Sequence, residues 1–193
     1  VRALGAEITP VGDTLTVQGI GGRPPRQGTA LVDCNESGST LRFCIPIFAA
    51  LGCPAHYVGR GNLGKRPLAP YYGIFDAQGM PYRTREDTLD LWVEGKLAPA
   101  VFSLPGDVSS QFISGLLFAL PLLGEGAAVR VTVELESRQY LDLTLAAMAD
   151  FGVEVRNREH REFTLGERCA YTPCGYTVEG DYSQSAFFAV ANA

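Results

Sequence analysis

The chain has 193 residues, 46% of them hydrophobic, and a formal net charge of −5, which is typical of a globular protein with ample material for a core. The acidic balance, without runs of lysine or arginine, excludes the broad basic surface that binds nucleic acid or anionic lipid. No apolar stretch reaches the roughly 20 residues that span a bilayer, and no secretory pattern opens the chain, so we expect a cytoplasmic protein that binds neither nucleic acid nor a membrane.

The predicted elements repeat along the chain. A helix end, a glycine and a pair of short strands recur at Gly5, Gly79 and Gly152, about 73 residues apart. Each glycine suits the left-handed backbone position that ends a helix. The segments that follow alternate apolar and polar residues around charged or glycine-containing turns, which predicts antiparallel hairpins. These segments read ITPVGDTLTVQG, PYRTREDTLDLWV and VEVRNREHREFTLG.

A strongly apolar segment recurs with the same period, beginning near Ser39, Ser110 and Ser183. A helix that is apolar on all faces belongs in an interior, and a serine at its start is suited to cap it. We therefore predict a unit of a buried helix, a strand, an amphipathic helix ending in glycine, and a hairpin. Three such helices would pack together with the sheets outside and their N-termini on one face.

The cysteines and histidines indicate no metal centre. The five cysteines are odd in number and lack paired ligand spacing, so we expect reduced thiols in a cytoplasm, with Cys169–Cys174 pairing as the open alternative. His56 and His160 lie in strand-like contexts without a neighbouring nucleophile or metal motif, which favours structural roles for both. The cysteines are Cys34, Cys44, Cys53, Cys169 and Cys174.

Small polar and basic residues precede the predicted helices. Helix N-termini present free N–H groups and partial positive charge to anions, and arginine matches phosphate and carboxylate geometry. Taken singly, each of these segments could be a helix cap or a solvated loop. Together, SGSTLR, GRGNLGKRPLAP, SSQ and ESRQY predict a pocket for one or two phosphorylated or carboxylated small molecules. The candidate residues are Gly38, Ser39, Arg42, Arg66, Ser109, Ser110, Gln111, Ser137 and Tyr140.

Five segments, in this order, resemble the enolpyruvyl transferase family. ESGSTLR resembles its NAGTAMR-type motif, GNLGKRP resembles RMRERP, and DVSSQFISGLLFALPLL is similar to SSQFLTALLMAAPL. Further on, ESRQYLDLTLAAMADFGVEV is similar to SKPYIDMTLAMMKTFGVEV, and EGDYSQSAFFAVA is similar to EGDASSASYFLAA. The resemblance spans essentially the whole chain and favours the branch of the family that acts on shikimate 3-phosphate.

The resemblance implies an α/β (α+β) fold of repeated βαβαββ units, with buried helices inside and mixed four-stranded sheets outside, forming one of two similar domains. Residues 1–180 would be a single domain with an incomplete first repeat, and 181–193 would begin the crossover toward a second domain. Asp181 would lie at the hinge, although capping of the following helix explains this residue equally well. We therefore expect the chain to be part of a longer protein.

The resemblance also implies a reaction, in which the enolpyruvyl group of phosphoenolpyruvate is transferred to the 5-hydroxyl of shikimate 3-phosphate without a metal or organic cofactor. The implied ligands of shikimate 3-phosphate are Ser109, Ser110, Gln111, Ser137 and Tyr140. Those of phosphoenolpyruvate are Gly38, Ser39, Arg42 and Arg66. Since the family's acid and base carboxylates lie in the second domain, no catalytic residue is assigned here, and we expect the chain alone to be inactive.

Two alternatives stay open. The sister enzyme that transfers enolpyruvyl to UDP-N-acetylglucosamine carries a reactive cysteine in a glycine-containing loop, and GRGNLGKRP has none. A binding module that keeps the fold but has lost the chemistry is the other. Glu36 and Gln139 depart from the family pattern, at positions where many relatives carry asparagine and proline.

Overall fold

The computed structural model describes residues 2–21, 23, 28–85, 88–180 and 182–191. A hairpin comes first, and two βαβαββ units follow it. The hairpin is β1 (Glu7–Val11) and β2 (Thr14–Gln18). The first unit is β3 (Ala30–Asp33), α1 (Gly38–Leu51), β4 (Ala55–Val58), α2 (Ala69–Gln78), β5 (Tyr82–Thr84) and β6 (Asp90–Val93). The second is β7 (Val101–Leu104), α3 (Ser110–Leu123), β8 (Ala128–Val131), α4 (Arg138–Asp150), β9 (Val155–Arg158) and β10 (Glu162–Leu165), and α5 (Tyr182–Ala191) comes last.

Each unit forms one four-stranded mixed sheet. The strand orders are β3-β4-β6-β5 and β7-β8-β10-β9. In each sheet the first two strands run parallel and the remaining pairs are antiparallel. The parallel pairs require a crossover, which α1 and α3 supply. These sheets confirm the predicted α/β class, and all three predicted hairpins are present.

Glycine ends the helices as the repeat predicted. Gly79 follows α2 with a φ of 63°, and its N–H donates to the carbonyls of Phe75 and Asp76. Gly152 lies two residues beyond Asp150, the last residue of α4, with a φ of 83°, and Gly5 follows a short 3₁₀ turn with a φ of 93°. These values lie in the region that glycine occupies at little cost.

The two apolar helices α1 and α3 pack against each other in the interior. Residues on both helices are fully buried, including Ile45 on α1 and Leu116 on α3. The helices approach closely at Gly115, where an added Cβ would contact the carbonyl oxygen of Arg42 and lie 3.1 Å from Cγ of Pro46. The predicted arrangement, with helices inside and sheets outside, is therefore confirmed for α1 and α3. No helix in the described ranges combines the length and apolar character needed to cross a membrane.

The prediction that the third apolar helix packs beside the other two is wrong for the described residues. In α5, Phe187, Phe188 and Val190 are between 73% and 77% exposed. The stretch 167–180 that leads to this helix has no regular secondary structure and is exposed throughout, so no layer of the described chain covers the apolar side chains. Asp181, the predicted hinge, lies outside the described residues.

Candidate functional site

A cavity of about 690 Å³ opens where α1, α3 and α4 begin. Of the nine residues that the sequence pattern singled out, eight line this cavity and the ninth, Gly38, borders three of them. The structure thus brings together segments that are far apart along the chain. The eight lining residues are Ser39, Arg42, Arg66, Ser109, Ser110, Gln111, Ser137 and Tyr140.

The starts of α1 and α3 are capped by serines outside the helices. Ser37 caps α1, and its Oγ accepts a hydrogen bond from the N–H of Thr40 at 3.1 Å. Ser109 caps α3, and its Oγ accepts from the N–H of Gln111 at 3.3 Å. Because Ser37 caps the N-terminus of α1, the hydroxyl of Ser39 is not used for capping and lies at the cavity.

A chain of hydrogen bonds joins α1 to α3 at the cavity wall. Nη1 of Arg42 donates to Oε1 of Gln111 at 2.7 Å, and Nε2 of Gln111 donates to Oγ of Ser39 at 2.8 Å. The amide therefore faces the cation with its oxygen and the hydroxyl with its nitrogen, which fixes its orientation. The hydrogen bond between Arg42 and Gln111 joins residues that are 69 positions apart along the chain.

Gly38 lets two guanidinium groups meet at the start of α1. An added Cβ at this position would lie 2.8 Å from Nη1 of Arg66 and 3.1 Å from Nη1 of Arg42. Both distances are shorter than ordinary carbon contacts. The glycine is needed here for space, because it lets Arg66 lie beside the helix. Arg66 follows a short 3₁₀ turn in the loop between β4 and α2.

Arg42 is a buried cation without an anionic partner. Its side chain is 6% exposed, and its Nε is buried with no hydrogen-bond partner. No ion pair within the described ranges involves Arg42 or Arg66, although Asp107 and Glu136 also line the cavity. Burial lowers the pKa of Arg42, and the positive charge of Arg66 lowers it further. Two adjacent cations of this kind favour a bound anion.

The start of α4 provides the other polar wall. Ser137 precedes this helix, is half-buried and makes no capping hydrogen bond with its side chain, so its hydroxyl is available to a ligand. Tyr140, one turn into the helix, is 63% exposed. Behind them, the hydroxyls of Ser114 and Thr144 lie 2.8 Å apart and tie α3 to α4.

The cavity also has an apolar wall that the sequence pattern did not indicate. Phe43 and Phe118 line it and meet edge to face, with their ring centroids 5.3 Å apart. Leu143 of α4 lies on the same lining. Phe43 and Phe118 belong to strongly apolar segments, where nothing in the local pattern distinguishes a cavity wall from the core.

The histidines, Arg60 and the cysteines do not line the cavity. His56 bonds Asp90 at 2.7 Å on the sheet of the first unit, and His160 bonds Asp142 at 2.7 Å; neither histidine lines the cavity. Arg60 pairs with Asp33 at the surface. All five cysteines are free thiols, so the alternative of a Cys169–Cys174 disulfide is absent from this structure.

Comparison with known proteins found similar sequences along the whole chain. The family model described as EPSP synthase (3-phosphoshikimate 1-carboxyvinyltransferase) matches residues 1–193. Proteins named 3-phosphoshikimate 1-carboxyvinyltransferase from Clostridium botulinum (strain Alaska E43 / Type E3) and Clostridioides difficile (strain 630) are 49% and 47% identical. The matches cover 100% of this chain but 45% and 46% of those proteins, so the chain spans about half the length of its curated relatives.

A solved structure shows the same fold. EPSP synthase from Acinetobacter baumannii superposes with a TM-score of 0.74 at 24% sequence identity, and the match covers 98% of this chain and 42% of that one. The fold of this chain is therefore similar to that of a part of the longer Acinetobacter baumannii chain.

Proposed function

Because the chain belongs to the EPSP synthase (3-phosphoshikimate 1-carboxyvinyltransferase) family, we propose that it is the part of such an enzyme that holds shikimate 3-phosphate and the phosphate side of phosphoenolpyruvate. The observation that carries this proposal is the buried guanidinium of Arg42, which lies beside Arg66 in a cavity and has no anionic partner in the described chain. A phosphate or carboxylate group would neutralise the two cations.

Shikimate 3-phosphate would occupy the side of the cavity formed by the starts of α3 and α4. Gln111 is already oriented by its bonds to Arg42 and Ser39, so little side-chain entropy is lost when a ligand binds. The hydroxyls at the two helix starts supply further hydrogen bonds, and the free N–H groups there favour a phosphate. The proposed ligands are Ser109, Ser110, Gln111, Ser137 and Tyr140.

Phosphoenolpyruvate would occupy the side formed by α1 and the loop before α2. Arg42 and Arg66 would hold its charged groups, Ser39 would donate its hydroxyl, and Gly38 would leave room for the two guanidinium groups. These arginines act as fixed positive charges rather than as acid or base, and such preorganised charge stabilises negative charge that develops during group transfer.

In the proposed reaction the enolpyruvyl group passes from phosphoenolpyruvate to the 5-hydroxyl of shikimate 3-phosphate, and inorganic phosphate leaves. The proposal includes no metal or organic cofactor. It assigns no acid or base to this chain, so we expect binding without turnover until a second domain of the longer enzyme completes the site. A phosphate-release assay of the chain alone should stay at the uncatalysed rate.

Titration calorimetry with shikimate 3-phosphate tests the proposal. Replacing Gln111 by Ala should weaken binding by about 1–3 kcal/mol, roughly 5- to 150-fold, because a buried ligand contact is lost. Gln78→Ala is the matched control, since the amide of Gln78 makes two hydrogen bonds to Ala98 away from the cavity. This control should bind like the unchanged chain.

Each other outcome counts against the proposal in a distinct way. Binding of UDP-N-acetylglucosamine in place of shikimate 3-phosphate would favour the sister transferase. No heat with either ligand or with phosphoenolpyruvate would favour a module without ligand binding. Equal affinity of the Gln111→Ala variant and the unchanged chain would remove Gln111 from the site.

A further inference from the structure

Tyr71 of α2 reaches the junction of α1 and α3 directly beneath the cavity. The residue is 1% exposed and does not line the cavity. Its hydroxyl donates to the main-chain carbonyl of Arg42 at 2.6 Å and lies 3.2 Å from the carbonyl of Phe112. The first carbonyl belongs to the residue with the buried guanidinium, and the second belongs to the residue that follows Gln111, so one hydroxyl contacts the backbone of α1 and of α3 beside the Arg42–Gln111 pair.

Pro46 explains why the carbonyl of Arg42 needs a donor from outside its helix. In a regular α-helix the N–H of residue 46 would donate to the carbonyl of residue 42. Proline has no N–H, and Pro46 lies inside α1. A buried carbonyl without a donor is costly. The hydroxyl of Tyr71 takes the place of the missing N–H.

The carbonyl of Phe112 does not compete for this proton in the same way. It lies inside α3, where the N–H of Leu116 is the ordinary helical donor. Burial raises the pKa of Tyr71 well above its usual value, so the hydroxyl stays protonated. Its single proton therefore belongs to the carbonyl of Arg42.

The ring of Tyr71 supports the same group from a second direction. It meets the ring of Phe112 edge to face with centroids 4.9 Å apart, and the guanidinium carbon of Arg42 lies 4.8 Å from the centre of that Phe112 ring. Gly115 makes room for this arrangement, because an added Cβ would lie 2.5 Å from the hydroxyl oxygen.

We propose that Tyr71 is a positioning residue, which replaces the donor that Pro46 removes and so sets the start of α1 against α3 and directs Arg42 toward Gln111 and the cavity. The proposal relies on the proposed function only for the identity of the ligand. Tyr71 acts on the affinity for an anion through Arg42, without touching the anion itself.

The test compares Tyr71→Phe with Tyr72→Phe. Tyr72 is a matched control because it lies on the same helix, is half-buried and stacks on Tyr82, and it does not line the cavity. Two readouts are used besides folding by circular dichroism. They are the side-chain amide resonances of Gln111 without ligand, assigned with a Gln111→Ala variant, and calorimetric affinity for phosphoenolpyruvate.

Tyr71→Phe should fold, shift the Gln111 amide resonances and bind phosphoenolpyruvate about three- to tenfold more weakly, as expected for loss of one hydrogen bond. Tyr72→Phe should leave both readouts unchanged. A residue with only a structural role would lower the urea midpoint without moving the amide resonances. That result would overturn the proposal.

Pro46→Ala provides a rescue. The alanine restores the main-chain N–H that donates to the carbonyl of Arg42, so adding Tyr71→Phe to this variant should change neither the Gln111 resonances nor the affinity. An equal change in both backgrounds would refute the link to Pro46. If Tyr71→Phe alone does not fold, the Pro46→Ala background decides the question, because there the hydroxyl should be dispensable.

Failure of the proposed function is distinguishable from failure of this inference. An unchanged chain that does not bind phosphoenolpyruvate refutes the assigned ligand. The amide resonances of Gln111 are measured without ligand, so they still show whether the hydroxyl of Tyr71 positions the Arg42–Gln111 pair.

Discussion

Gly115→Ala tests how closely α1 and α3 must approach. The new Cβ would contact the carbonyl oxygen of Arg42, lie 2.5 Å from the hydroxyl of Tyr71 and lie 3.1 Å from Cγ of Pro46. The first of these atoms is main chain and the last belongs to a rigid ring, so neither yields easily. Ordinary contacts of this type are near 3.4–4 Å, and α3 would have to move away from α1.

The expected magnitude follows from opposing effects. Alanine is favoured over glycine inside a helix by about 1 kcal/mol. Overpacking costs about 1–3 kcal/mol, and loss of the Tyr71 hydrogen bond adds roughly 1 kcal/mol. We therefore expect Gly115→Ala to lower the free energy of unfolding by about 1–3 kcal/mol, measured from urea midpoints at an unchanged m-value.

Gly73→Ala is the matched control. Gly73 also lies inside a helix, α2, but it is exposed and an added Cβ would meet no atom within 4 Å. This variant should gain about 0.5–1 kcal/mol from helix propensity alone. If Gly115→Ala proves as stable as Gly73→Ala, the close approach of α1 and α3 at this glycine is refuted.

Three further predictions concern a cation, the thiols and a carboxylate. Gly38→Ala should displace Arg66 and weaken phosphoenolpyruvate binding roughly tenfold in calorimetry, because a charged contact is disturbed. At about pH 8 a thiol reagent should modify the exposed Cys169 and Cys174 rapidly. It should modify Cys34 very slowly, since burial raises the pKa of Cys34 to about 12. A hydrogen bond from His56 lowers the pKa of Asp90, so Asp90→Asn should destabilise the chain near neutral pH, and the difference from the unchanged chain should shrink as pH falls through the lowered pKa of Asp90, because the charged form that His56 stabilises is lost.

Each of these three predictions has an outcome that would contradict it. Unchanged affinity of Gly38→Ala would show that Arg66 does not depend on the space at this glycine. Rapid modification of Cys34 would contradict its burial. A stability difference for Asp90→Asn that stays constant as pH falls from neutrality through the titration of Asp90 would mean that the carboxylate charge is not the cause, and urea unfolding across the pH range measures it.

The amino-acid sequence alone determined the repeat and the local elements. The alternation of apolar and polar residues, the apolar periodicity and the positions of glycines are properties of neighbouring residues. The hairpins, the glycines that end helices and the buried character of α1 and α3 could therefore be predicted from them. The polar starts of the helices were also visible, and eight of nine candidate residues line one cavity. The assigned ligands of that cavity stay a prediction.

Only the tertiary structure decided which distant groups meet. The bond from Arg42 to Gln111 joins two helices, and the bond from Tyr71 to the carbonyl of Arg42 joins a third element. No local pattern encodes such contacts, because they depend on how closely the backbones approach, which Gly115 and Pro46 set. The exposed apolar face of α5 has the same cause: its composition indicates burial, but burial requires a covering surface, and the described chain provides none there.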